Sequence, residues 1–104
     1  MTAIRVQIIR WVDDHQPGFV ECRFIDQSGR ERMIIEKLPI VSEAQLDQGS
    51  SYPQSGSIPC TVVSRTRDQS GREIAEVDIT APIFIEAVDG ETRFQIFADD
   101  LIEA

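Results

Sequence analysis

Histidine occurs once in this 104-residue chain, at position 15, and cysteine only twice, at positions 22 and 60. A zinc site of the usual kind needs three or four closely grouped Cys or His ligands, so no metal and no cofactor are expected. Neither a glycine-rich phosphate loop nor a Gly-x-Ser-x-Gly nucleophile elbow occurs, which removes the common signatures of nucleotide binding and of serine hydrolysis. Uninterrupted apolar runs are only a few residues long, far short of the ~20 that cross a bilayer as a helix. The N-terminus lacks a basic stretch followed by an apolar core, so secretion is not indicated and the cytoplasm is the expected compartment.

Bases are scarce in one region in particular. The net charge is −8, from 18 acids against 10 bases. Residues 1–72 balance, whereas residues 73–104 set Glu73, Glu76, Asp78, Glu86, Asp89, Glu91, Asp99, Asp100 and Glu103 against Arg93 alone. An anionic surface repels phosphate backbones and steers toward cations. Nucleic acid is therefore not an expected partner, and a basic protein is.

What the chain does have is alternation. Val20, Cys22 and Phe24 alternate with Glu21 and Arg23, and Met33 and Ile35 alternate with Arg32, Ile34 and Glu36. That period of two marks strands buried on one face. Between them Asp26-Gln27-Ser28-Gly29-Arg30-Glu31 supplies turn residues, so 19–37 reads as a hairpin. The same hexapeptide returns at 68–73, and a slide of 42 residues superposes the two stretches. Outside it few positions agree, so independent adoption of one turn chemistry accounts for the repeat better than duplication does.

Ile4, Val6 and Ile8 make a first strand that runs on to Trp11. Ile58, Cys60 and Val62 make a fourth, with Pro59 near its start, and Ala75, Val77 and Ile79 a fifth. Ile83-Phe84-Ile85 and Arg93–Phe97 flank Asp89-Gly90, a pair typical of tight type I′ turns, and read as a third hairpin. Ser42-Glu43-Ala44-Gln45 fits a capping box, which places one short helical turn near 42–48. Asp99-Asp100-Leu101-Ile102 reads as a last turn that packs Leu101 or Ile102 back on the core.

Together these elements predict an all-β fold, one domain over residues 1–104: a small, mainly antiparallel barrel of six to seven short strands, with a sandwich as the alternative. Its core is expected to hold Ile4, Val6, Ile8, Val20, Cys22, Phe24, Met33, Ile35, Cys60, Val62, Val77, Ile79, Phe94 and Ile96, with both cysteines as buried free thiols. The segments Ile8-Ile9-Arg10-Trp11-Val12, Pro17-Gly18, the hairpin turn, Glu36-Lys37-Leu38-Pro39 and Tyr52-Pro53 together resemble a group of small bacterial single-domain β proteins of about this length. That resemblance implies a compact stand-alone β domain and no activity.

Three functional expectations follow. The first is a non-catalytic interaction module, in its sharpest form an immunity-type inhibitor of a toxin, that meets a basic partner through Glu86, Asp89, Glu91, Asp99 and Asp100. The second is a small-molecule-binding barrel with Trp11, Asp13, Asp14, His15 and Tyr52 around one open end. The third is a hydrolytic or metal-dependent enzyme, using Asp13, Asp14 and His15, or carboxylates on facing strands such as Glu76 or Asp78. No nucleophile is identifiable beside them, so no catalytic residue is assigned.

Overall fold

The computed structural model describes residues 2–103. In chain order they form β1 (Thr2–Asp13), β2 (Phe19–Ile25), β3 (Glu31–Lys37), a one-turn helix α1 (Leu38–Val41), β4 (Gln54–Pro59), β5 (Thr61–Arg67), β6 (Glu73–Asp78), β7 (Arg93–Phe97), a 3-10 turn (Ala98–Asp100) and β8 (Leu101–Glu103). The fold is all-β and its strands pair antiparallel. One sheet runs β3-β2-β1-β4, with β8 also on β1; the other runs β5-β6-β7. Both sheets end in edge strands, so the expected cylinder is not what the pairing shows: two open sheets share one core.

β1 is long because it serves partners on both edges. One edge pairs with β4 from Ala3 to Ile8, and the other with β8 over Thr2–Ile4 and with β2 from Gln7 onward. The chain passes between sheets at Cys60, whose N–H donates to the Thr2 carbonyl at 3.0 Å. This corner divides the expected fourth strand into β4 and β5. Pro59 faces Ala3 at a position whose N–H would point away from β1, so its missing donor costs the ladder nothing.

On the opposite side the sheets meet through isolated bonds rather than a ladder. Gln27 N–H donates to the Gln95 carbonyl at 2.8 Å, and Val88 N–H donates to the Met33 carbonyl at 2.9 Å. Inside, Phe24 and Phe94 pack edge to face with centroids 5.2 Å apart and planes at 86°, the favoured aromatic geometry.

Both copies of the hexapeptide fold identically. Asp26 Oδ1 accepts from Ser28 N–H (2.9 Å), Ser28 Oγ (2.7 Å) and Arg30 N–H (2.9 Å), and Asp68 Oδ1 accepts from Ser70 and Arg72 at the same distances. Gly29 and Gly71 take the left-handed φ of 85° and 86° that closes each turn. The backbone bonds recur at 87–91, where Ala87 N–H reaches the Glu91 carbonyl and Gly90 N–H the Ala87 carbonyl. Among the described residues none but glycine has positive φ, so Asp89-Gly90 is not a type I′ turn.

Four further expectations need correction. No third hairpin forms: β7 pairs with β6 directly, and residues 79–92 are an excursion between them. The helical turn lies at 38–41, not 42–48, because Pro39 sits in its first turn and Ser42 becomes the C-cap, its N–H donating to the Leu38 carbonyl. In β3 the inward residue is Ile34, fully buried, while Ile35 is exposed and Met33 half-buried. Register decides this: Ile34 faces Cys22, and Cys22 is buried. Val62, also expected in the core, is half-buried beside the irregularity in the β5–β6 register.

Candidate functional site

The Asp13–His15 loop is organised locally. Trp11 Nε1 donates to Asp14 Oδ1 at 2.7 Å, and Asp13 Oδ1 accepts the His15 N–H at 2.8 Å. The Trp11 ring lies against Gly18, where an added Cβ would sit 2.3 Å from Cη2. Tyr52 donates its hydroxyl to the Asp47 carbonyl at 2.6 Å, and burial raises its pKa above the ordinary phenol value. The β1–β4 register, matching Ile8 with Gln54, directs Trp11 and Tyr52 toward the same end of the sheet. Each is tied to its own loop, and the open groove beside them is lined by Gln16, Pro17, Leu38, Pro39 and Leu46 rather than by either aromatic. Among the described residues no three or more His, Cys, Asp or Glu side chains are grouped to hold a metal.

The acids of the final third do not stand apart as one face. Asp89 lies 3.3 Å from Arg32 and 3.6 Å from Arg30, and Asp99 lies 3.6 Å from Arg72. Glu73 and Glu103 share Arg65, and Glu76 and Asp78 share Arg93. Among the described residues Glu86, Glu91 and Asp100 carry no ion pair. Net charge therefore overstates how much anionic surface is free to meet a partner.

One of these pairs belongs to a buried knot. Asp26 is the single buried charged residue among those described. Burial alone would raise its pKa; hydrogen bonds from Ser28, from the Arg30 N–H and from Arg32 outweigh that and hold it below 3.8. Arg32 reaches Asp26 at 3.1 Å and also stacks over the Phe94 ring, 4.9 Å from its centroid. The knot ties the β2–β3 hairpin to β7 and to the 79–92 excursion.

That excursion holds the surface which sequence reasoning missed. From 84 to 88 its burial alternates: Ile85 and Ala87 are buried, while Phe84 is 68 % and Val88 62 % exposed with Glu86 exposed between them. Ile85 N–H donates to the Ile79 carbonyl and Val88 N–H to the Met33 carbonyl, so the segment is pinned at both ends. Ile35 lies exposed on the same edge strand as Met33. The alternation was visible in the sequence, but it reads equally as a strand paired on both edges. Its outward row is apolar-acid-apolar, with Glu91 just beyond.

Comparison of the chain with protein-family models, with curated proteins and with solved structures finds no match. No helix among the described residues is long and apolar enough to cross a membrane.

Proposed function

We propose that the protein is a non-catalytic, cytoplasmic interaction module that binds a basic protein partner through the outward row of the 79–92 excursion. Phe84 and Val88 supply apolar contact, and Glu86 and Glu91 supply the uncommitted negative charge between and beside them. The reading is supported chiefly by the exposure of Phe84 and Val88 on a segment whose intervening residues are anchored in the core. Large apolar side chains held rigidly in solvent are costly unless a partner covers them. Acids with no internal ion pair favour cationic groups on that partner, through steering and rim contacts. An immunity-type inhibitor is the sharpest form of this reading.

The test is fluorescence anisotropy with short peptides that alternate Lys or Arg with Leu or Phe, against the wild type, Phe84→Ser and the double variant Glu86→Lys with Glu91→Lys. Binding should weaken as salt rises and fall in both variants, while acidic peptides of the same pattern stay free. Binding indifferent to salt and to both sets of substitutions would overturn the proposal.

A further inference from the structure

On the outer face of the first sheet, the β1 edge that carries β2 and β8 has a gap. β8 pairs with β1 no further than Ile4, and β2 begins its pairing at Gln7. Cys60 N–H binds the Thr2 carbonyl, so even residues of this part of β1 direct their backbone groups toward β4, and Ala3, Arg5 and Gln7 direct theirs to the opposite edge. Ala3 is matched there by Ile102 and Gln7 by Arg23. On that edge the last pair with β8, Ile4 with Leu101, takes the Arg5 N–H toward the Asp100 carbonyl, whereas the Arg5 C=O is matched by neither β8 nor β2, beside a groove of about 290 Å3 that Arg5 lines.

The walls of that groove carry opposite charges that do not meet. Arg5 and Asp100 both line it, and neither forms an ion pair among the described residues. The Arg5 guanidinium has one long contact, 3.4 Å to the Asp99 carbonyl. Arg23, on the same wall, is engaged by Glu31 at 3.3 Å and by Gln7 at 2.8 Å. Ser55 adds a hydroxyl and Ile25 an exposed apolar side chain. Nearly every other arginine of the molecule has a carboxylate partner, so an unpaired guanidinium and an unpaired carboxylate across one groove are a specific arrangement.

We infer that this notch is a binding site for a small zwitterion of the dipeptide class. Its carboxylate would meet the Arg5 guanidinium, its ammonium would meet Asp100, and its peptide N–H would donate to the Arg5 carbonyl that neither β2 nor β8 pairs. A free amino acid offers both charges but no peptide group, and so is the weaker ligand. The site lies apart from the 79–92 excursion and does not depend on the reading given for it.

The experiment is an amide-resolved NMR titration of the full chain with glycylglycine. The expected result is saturable shifts centred on Arg5, Val6, Ile25 and Leu101. N-acetylation or C-amidation of the dipeptide should each weaken binding about tenfold or more, as expected for loss of one charge-assisted contact. Arg5→Gln and Asp100→Asn should do the same with an otherwise unchanged spectrum, and glycine should bind less tightly than glycylglycine. Shifts that fail to saturate, or that are equal for free and doubly blocked dipeptide, would overturn the inference. The blocked ligands decide the question without any substitution in the protein.

Discussion

The Arg32 guanidinium lies over the Phe94 ring at 4.9 Å from its centroid while binding Asp26 at 3.1 Å and Asp89 at 3.3 Å. One side chain on an edge strand thus joins the β2–β3 hairpin, β7 and the 79–92 excursion, along the side where the two sheets share no ladder.

Replacing Arg32 by Ala should cost about 3 kcal/mol, because it leaves the Asp26 carboxylate inside without its cation. Arg32→Lys should recover less than half of that, since an ammonium cannot stack and bridge two carboxylates as a planar fork does. Equilibrium urea unfolding measures both. A loss below about 1 kcal/mol for Arg32→Ala, the scale of a surface pair, would show that the knot is only a surface network.

The two hexapeptide turns provide an internal control. Gly29 and Gly71 have matching positive φ, and nothing lies within 4 Å of an added Cβ at either. Ala at each should therefore cost a similar amount, about 1 to 2 kcal/mol, from backbone strain alone. The aspartates should differ: Asp26→Ala removes a buried acceptor that also holds Arg32, whereas Asp68 is not buried and is bound only within its own turn. Urea unfolding should rank Asp26→Ala clearly the more damaging, and equal losses would contradict the description of the knot.

Acid and alkali should act through different groups. The folded Asp26 carboxyl titrates below 3.8, so its stabilisation is complete above that pH and is lost as pH falls through the lower folded value. Asp26→Asn should accordingly flatten the acid limb of stability against pH. Burial, aided by Glu36 and Glu21, pushes the Cys22 thiol up to about 12 from 9.0, and burial pushes Cys60 up to about 11. Here the folded state holds its protons longer than the unfolded chain, so stability should decline as pH rises from 9.0 through those values. A disulfide-exchange reagent at neutral pH should leave both thiols unmodified until the chain is unfolded, and rapid native modification would contradict their burial.

Gly18→Ala should be more harmful than either turn substitution. The residue has φ +97°, and its Cβ would meet the Trp11 ring at 2.3 Å. Strain and overpacking together should cost about 3 kcal/mol. Tryptophan fluorescence should shift as the indole leaves its contacts, and an unchanged emission maximum would show that the ring is not held there.

Much of the architecture was legible because burial on one face leaves a period of two. Ile4, Val6 and Ile8 in β1, and Val20, Cys22 and Phe24 in β2, are buried as their alternation implies. The rule failed where a charged residue points inward. Arg32 shares a parity with Ile34, and weighing it as an outward residue reversed β3, yet it is its inward placement that permits the knot. Pro59 and Cys60 gave no sign that one apolar run would serve two sheets. Asp89-Gly90 named a turn correctly but not its type, since Gly90 fills the same position as Gly29 and Gly71. As for the candidate site, residue types showed where acids were dense, but only the fold shows that Asp89 and Asp99 are held by arginines while Glu86 is not.

The central claim concerns the outward row of the excursion, and the most direct measurement is an amide-shift map of the labelled protein titrated with one cationic amphipathic peptide. The account predicts shifts confined to residues 83–91 and the outer face of β3, abolished together by Phe84→Ser. Shifts centred instead on the 11–15 loop and Tyr52, or spread over all the acids of the final third, would contradict it.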